Sequence, residues 1–289
     1  MSSGGQFGNR AREARRQLVF VVPGVAAVYI ASAWIAVFLY DFSGLRSADA
    51  LLCRLQDCTA HPPMLWIELF QERSPTEIGQ WILLLSASVL SAATAWRLRQ
   101  QGLPALSYWL LALALLVMYG EDGHNLRHML SAHFADTVLR VDSQSLEWRR
   151  SLERSLIEIS FYAILGGLMS LVLWLKFRRP RPPKTAMLCF SIGFAIYAIA
   201  AIASATRNIF DWYATLGASV FDWISRNAGL PVDGRSIVHF QDPIGFWFMD
   251  YVFEESLELI GASLICGAVL GWWSSTGTRK RLPNRLIRY

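Results

Sequence analysis

The chain has 289 residues, of which 54% are hydrophobic and only 17% are charged, and its mean hydropathy is +0.32. A soluble domain of this length carries about a quarter charged residues, so the composition argues against an ordinary soluble fold. The formal net charge of +5 does not indicate nucleic-acid binding, because the basic residues cluster between apolar runs and no aromatic-basic motif accompanies them. We therefore expect no nucleic-acid partner.

Six apolar runs approach the roughly 20 residues that span a bilayer as a helix. In chain order they cover residues 18–40, 77–96, 104–121, 155–176, 185–206 and 246–273. Each must be helical in lipid, since hydrocarbon offers no partner to free backbone groups. The sequence predicts an all-α polytopic membrane protein, a six-transmembrane-helix bundle whose main partner is the lipid bilayer. Its transmembrane domain would cover residues 18–273, between basic tails at 1–17 and 274–289.

The placement of Lys and Arg predicts the orientation of the chain. Sixteen of the 27 basic residues lie in the two tails and in the turns near 97–99 and 176–184, with a single acid, Glu13. The positive-inside rule places these segments in the cytoplasm, and six spans return the chain to its starting side. The first run continues past a signal-peptide-like Ala31-Ser32-Ala33, so we interpret it as an uncleaved anchor. The prediction is a multi-pass protein of the cell inner membrane with both termini cytoplasmic.

The alternate loops would face the periplasm. They cover residues 41–76, 122–154 and 207–245. In the third, Tyr213, Gly217 and Ile224 fall on one helical face. This pattern predicts a helix that either lies in the membrane interface or packs as a lid over the ends of the bundle. The segment "MLWIELF" in the first loop is a second candidate of this kind.

Two of the four cysteines lie in the first of these loops. Cys53 and Cys58 are five residues apart there, whereas the other two fall inside apolar runs. In an oxidising periplasm a short-range disulfide between them is expected. Free thiols, or a metal site that includes the nearby His61, are the alternatives.

The second, fourth and sixth runs share one feature, a glutamate near the start. Glu77, Glu158 and Glu258 precede a tryptophan that closes each run. This similarity suggests three helical-hairpin repeats. Because lipid exposure of an acid is penalised, all three glutamates would face inward and converge.

The segment "MYGEDGHNLRHML" adds polar residues where the third run ends. Glu121, His124 and His128 are spaced i, i+3, i+7, which places them on one face of an uninterrupted helix. An acid at mid-helix costs about 2.5–3.5 kcal/mol on insertion scales and usually serves a function. The candidate ligands of a divalent metal are Glu121, His124, His128, Glu158, Glu254 and Glu258. The polar groups around them are Glu77, Asp122, Arg207 and Asp250.

Several chemistries suit such a cluster. A single zinc, manganese or calcium ion is easier to support than a di-iron centre, because the sequence has one E-x-x-H motif where the di-iron bundles use two. Clustered carboxylates can also share protons, or a metal-bound water can hydrolyse a substrate. A structural role remains open as well, as an ion pair with Arg207 or Arg127.

No serine-nucleophile elbow, P-loop or dinucleotide motif is present, so the sequence leaves open whether the protein is an enzyme. The predicted function is an inner-membrane protein with a periplasm-facing carboxylate and histidine cluster that binds a cation, either a metal ion or a proton. One alternative is a metal-dependent hydrolase of a lipid or lipid-linked substrate. Another is a scaffold subunit paired with a membrane-protein partner or with further copies of the chain.

Overall fold

The computed structural model describes residues 3–43, 49–55, 64–124, 126, 129–130, 133, 147–177, 183–207, 211–228, 238–239 and 242–276. These residues are almost entirely helical. In chain order the helices are α1 (Ser3–Val37), the π-helical segment π1 (Phe38–Phe42), α2 (Asp49–Leu52), α3 (Leu65–Phe70), α4 (Pro75–Gln100), α5 (Leu106–His124), α6 (Glu147–Phe177), α7 (Lys184–Thr206), α8 (Trp212–Ala228), α9 (Ile244–Trp247), the π-helical segment π2 (Phe248–Glu254) and α10 (Glu255–Thr276). A short antiparallel pair joins β1 (Val238–His239) to β2 (Asp242–Pro243).

All six predicted apolar runs are helical, which confirms the all-helical prediction. Within the described part of the chain, five helical segments are long and apolar enough to cross a membrane. They are Gln17–Phe42, Leu65–Gln100, Leu156–Phe177, Lys184–Thr206 and Ile244–Thr276. The run at 104–121 forms α5, which is not among them; Glu121 and Asp122 occupy its last turn and lower its hydropathy.

The surface of these helices carries large aliphatic side chains. Val25, Val28 and Ile164 are 68%, 69% and 75% exposed. Such side chains on long apolar helices suit contact with lipid rather than water. Together with the five spanning segments, they indicate a multi-pass membrane protein.

The central helix is α10, which packs against α1, α4 and α7. It approaches α7 closely where Gly261 faces Gly193: a Cβ built on Gly193 would lie 2.8 Å from the Gly261 carbonyl oxygen. Nearer the other end, a Cβ on Gly267 would lie 2.3 Å from the Val19 carbonyl oxygen of α1. Small residues at helix crossings allow membrane helices to come this close.

The main hydrophobic core includes buried residues from α1, α4, α5, α6, α7 and α10. α5 contributes Leu111, Ala114, Leu115 and Met118, each at most 2% exposed. It therefore runs through the bundle beside α4 and α6, although its composition alone does not mark it as a span.

A second hydrophobic cluster covers one end of the bundle, which we call the lid end. Here α3 and α8 pack around π2 and the end of α1. The ring of Phe248 lies at the centre, with edge-on contacts to Trp66 and Phe221 at centroid distances of 5.9 and 4.8 Å. Asp41 fixes the start of α3 by accepting hydrogen bonds from the backbone N–H groups of Leu65 and Trp66, at 2.8 and 3.0 Å.

The helix predicted in the third loop is α8, and the structure favours the lid interpretation for it. Tyr213, Phe221 and Ile224 are buried on its inner face. Gly217 allows a close approach to α9, because a Cβ there would lie 1.8 Å from the Gly245 carbonyl oxygen. The "MLWIELF" segment likewise forms α3 in the same layer.

Cys189 and Cys266 are buried free thiols. Cys58 lies outside the described residues, so the Cys53–Cys58 disulfide stays a prediction. The threefold hairpin repeat also stays a prediction.

Candidate functional site

A cavity of about 70 Å³ opens at the lid end of the bundle, and eight carboxylate side chains of the described residues line it. They are Glu72, Glu77, Glu121, Asp122, Asp250, Glu254, Glu255 and Glu258. The lining also includes Tyr162, Ser204, Arg207 and Tyr251. This set of side chains is called the acidic cavity below.

Helix ends bring these acids together. α4 begins at the lid end with Pro75, whose fixed φ suits the first helical position, and Glu77 lies in the first turn. α5 runs the opposite way and places Glu121 and Asp122 in its last turn beside it. The junction of π2 with α10 supplies the other large group of acids. A π-helical turn within an α-helix is rare and is often found at functional sites.

Gln80 links four helices beneath the cavity. Its side chain is fully buried, and its Nε2 donates to Asp122 Oδ2 at 2.6 Å and to Glu258 Oε2 at 2.9 Å. The hydroxyl oxygen of Tyr197 on α7 accepts from the same Nε2 at 3.2 Å and donates in turn to Asp122 Oδ2. The Oε1 atom of Gln80 has no hydrogen-bond partner within the described part of the chain.

Arg207 follows α7 directly and forms an ion pair with Asp250. Burial disfavours the charged guanidinium, but the neighbouring Asp250 and Glu254 carboxylates outweigh this effect and hold the pKa of Arg207 above its ordinary value. Arg207 therefore stays protonated. It is the one basic side chain among the described residues that line the cavity.

Neutral donors satisfy other carboxylates. Tyr213 on α8 donates to Glu254 Oε2 at 2.7 Å. Burial, and then the carboxylates of Glu254 and Asp250, raise the pKa of Tyr213 above its ordinary value, so its hydroxyl keeps its proton. Glu77 accepts from the backbone N–H of Arg73, close to the start of α4. These bonds orient the carboxylates without neutralising them.

Glu255 differs from its neighbours. It lines the cavity, and its buried Oε2 atom has no hydrogen-bond partner among the residues that the structure describes. Leaving a buried acceptor unsatisfied costs about 1–3 kcal/mol, and more for a charged group. The free oxygen is therefore available to a ligand in the cavity.

The structure brings together most of the acids that the sequence singled out. Glu121, Glu254 and Glu258 line the cavity, as do the predicted neighbours Glu77, Asp122, Arg207 and Asp250. Two candidates do not line it. His124 is exposed, with its ring edge-on to Tyr119, and Glu158 is buried but is not among the residues that line the cavity. His128 lies outside the described residues. Within the described ranges, no three His, Cys, Asp or Glu side chains are arranged to hold a metal ion directly.

Sequence reasoning missed several members of the site. Glu72 and Glu255 were not among the candidates, and neither were the buried partners Gln80, Tyr197 and Tyr213. Gln80 follows Glu77 by three residues, so helical spacing places it on the same face and could have identified it.

An apolar cavity of about 340 Å³ lies beside the acidic cavity, between α5, α6 and α7. We call it the apolar groove. Tyr162 lines both cavities, and its hydroxyl lies 3.4 Å from Glu121 Oε1. The two cavities are therefore neighbours that share a wall.

No family model, curated protein or solved structure matches this chain. Its class is defined by the fold, an all-helical multi-pass membrane protein.

Proposed function

We propose that this membrane protein binds a cation in the acidic cavity. The observation that carries the proposal is the charge of the lining, eight carboxylates with Arg207 as the one basic side chain in the described part of the wall. Carboxylates this close repel each other when ionised, so shared protons or a cation must compensate. The hydrogen bonds from Gln80, Tyr197 and Tyr213 preorganise the acids but carry no positive charge.

The ligand set favours a hard divalent ion. The described lining offers carboxylate and hydroxyl oxygens and no imidazole, which suits calcium or manganese better than zinc. A cavity of about 70 Å³ has room for one ion with a few waters. Since no three described side chains form a direct ligand set, we propose that the ion keeps part of its water shell.

The topology predicted from the basic residues is also part of this proposal: six spans, both termini cytoplasmic and the acidic cavity facing the periplasm. The packing of α5 inside the bundle supports a sixth span. Reporter fusions after residues 101 and 180 test the topology. Both should report the cytoplasm, and a periplasmic signal at residue 180 would exclude this orientation.

The binding test is elemental analysis of detergent-solubilised protein after dialysis against Mn²⁺ and then against metal-free buffer. Wild type should retain about one ion per chain, and Glu258→Gln should lose it. Asp222→Asn removes an acid from α8 that does not line the cavity, so it should retain the ion. Equal retention in all three proteins, or in none, would contradict the proposal.

A metal-dependent hydrolase of a lipid or lipid-linked substrate is the second candidate. The apolar groove beside the acidic cavity is the observation that favours it, because a hydrocarbon chain there would bring a polar head towards the carboxylates. A cavity carboxylate could then act as base towards a metal-bound water. Mass spectrometry of a lipid extract incubated with wild type and with Glu258→Gln tests this. Metal-dependent release of a polar fragment by wild type alone would support it, and no release would exclude it for the lipids present.

A further inference from the structure

The apolar groove runs along the bundle from the level of the acidic cavity. On α6 it extends from Ile159 to Met169, which is about 15 Å at 1.5 Å per residue. That length equals one leaflet of a hydrocarbon core about 30 Å thick. Its volume of about 340 Å³ lies at the lower end of the range for small-molecule sites, about 300–1,000 Å³.

Small residues open the groove. On α7, Ala198, Ala201 and Ala205 line it at helical spacing, and Gly166 faces it from α6. A Cβ built on Gly166 would meet no atom within 4 Å, so open space lies in front of this residue. The space between α6 and α7 is therefore not filled by their side chains.

Two tyrosines connect the groove to the acidic cavity. Tyr162 and Tyr197 both line the groove, and their hydroxyls donate to Glu121 and Asp122. Each ring thus presents its apolar face to the groove and its hydroxyl to a cavity carboxylate. The combined site has apolar walls at the groove end and carboxylates at the cavity end. This arrangement suits an amphiphile that lies parallel to the helices.

We infer that the groove and the acidic cavity together bind a long-chain amphiphile, with its hydrocarbon chain in the groove and an ammonium head in the cavity. This inference rests on the proposed function, cation binding in the acidic cavity, and adds a second kind of cation, an ammonium group that takes the place of the metal ion. A carboxylate or phosphate head would be repelled by the lining, since like charges brought together cost several kcal/mol. A cavity of about 70 Å³ also suits a small head better than a sugar or a bulky ester.

An unsatisfied acceptor in the cavity wall supports an ammonium group. Glu255 lines the cavity, and its buried Oε2 atom has no hydrogen-bond partner among the described residues. An ammonium nitrogen carries three donors and no acceptor. It can satisfy such an oxygen and offset the charge of the lining at the same time.

The test uses a sixteen-carbon primary amine with a diazirine in its chain, and the matching fatty acid and alcohol as comparison probes. After irradiation of the detergent-solubilised full chain, peptides from α6 and α7 are analysed by mass spectrometry. The amine should label them at least about tenfold more than the fatty acid, which corresponds to about 1.4 kcal/mol. Asp122→Asn should reduce labelling by the amine and leave labelling by the alcohol unchanged.

Two neighbouring glycines provide matched variants. Gly166→Leu fills the groove, whereas Gly167→Leu makes the same change at an exposed position that also has open space around it and does not line the groove. Labelling by the amine should fall at least about fivefold in Gly166→Leu, which corresponds to about 1 kcal/mol, and stay within twofold of wild type in Gly167→Leu. If Gly166→Leu fails to give a monodisperse protein, Ala198→Leu fills the groove from the opposite wall.

The outcomes separate the two proposals. Mn²⁺ retained by the protein with no preferential labelling by the amine would overturn the inference and leave the cation site standing. If the protein neither binds Mn²⁺ nor is labelled by the amine, both proposals are overturned. Equal labelling of Gly166→Leu and wild type, or equal labelling by amine and fatty acid, would also overturn the inference.

Discussion

Gln80 on α4 and Glu258 on α10 are 178 positions apart in the chain, yet Gln80 Nε2 lies 2.9 Å from Glu258 Oε2. The same nitrogen lies 2.6 Å from Asp122 Oδ2 on α5. A single buried amide therefore holds two cavity carboxylates at fixed positions. Both carboxylates are acceptors when ionised. The Gln80 donor between them therefore orients the two groups and also reduces the repulsion between their charges.

Gln80→Met keeps the length of this side chain and removes its donors. We expect a loss of about 1–3 kcal/mol in stability, since two buried carboxylates lose a hydrogen bond, together with weaker binding of Mn²⁺. Thermal unfolding in detergent and Mn²⁺ titration measure the two effects. Gln101→Met, at the exposed position that follows α4, is the control and should change neither. Wild-type Mn²⁺ affinity in Gln80→Met would show that Gln80 does not position the site.

The Arg207–Asp250 ion pair gives a second prediction. Arg207→Gln leaves Asp250 without its cationic partner in a site where the two side chains are only 19% and 10% exposed. Removing one member of a buried pair costs about 3–5 kcal/mol, and partial exposure places this pair near the lower value. Asp250→Asn combined with Arg207→Gln should recover much of the loss. Denaturation of Arg207→Gln, of Asp250→Asn and of the double variant tests this coupling; additive losses in the double variant would refute it.

Close packing at the centre of the bundle gives a third prediction. A Cβ on Gly193 would lie 2.8 Å from the Gly261 carbonyl oxygen and 2.8 Å from Leu264 Cβ. Gly193→Ala should therefore separate α7 from α10 and destabilise the protein by about 1–3 kcal/mol. Gly24→Ala is the matched control, because nothing lies within 4 Å of a Cβ there. Equal melting temperatures for the two variants would contradict the packing described for α10.

The disulfide gives a fourth prediction. Alkylation of the unreduced protein should modify neither Cys53 nor Cys58, as measured by mass spectrometry. After reduction, the alkylating reagent should modify both thiols. The buried thiols of Cys189 and Cys266 provide an internal control that requires unfolding for modification. Modification of both loop cysteines without reductant would rule out the bond.

The helices and part of the site could be predicted from the sequence, for physical reasons. A helix is the only way for an isolated apolar run to satisfy its backbone in lipid, so every run became helical. Glu77 and Glu258 line one cavity because both lie near the lid end and both avoid lipid. Glu158 is buried, as the same argument requires, but it is not among the described residues that line the cavity, since depth along a helix does not determine which neighbours a side chain meets.

Two features of the site could not be predicted from the sequence. Tyr197 lies in the uniformly apolar segment "AIYAIAAIA", where no polar face indicates which side meets Asp122. The π-helical hydrogen bonding of Phe248–Glu254 changes the angular spacing of the side chains that follow. This segment contains Asp250 and Glu254, both of which line the cavity, and nothing in the sequence predicted its π-helical geometry.

The most direct test of the cation site is anomalous diffraction from crystals soaked in Mn²⁺. A single strong peak should appear in the acidic cavity, within the space bounded by Asp122, Glu255 and Glu258, and it should disappear in Glu258→Gln crystals grown and soaked in the same way. Mn²⁺ peaks confined to the surface, with none in this cavity in wild-type crystals, would contradict the account.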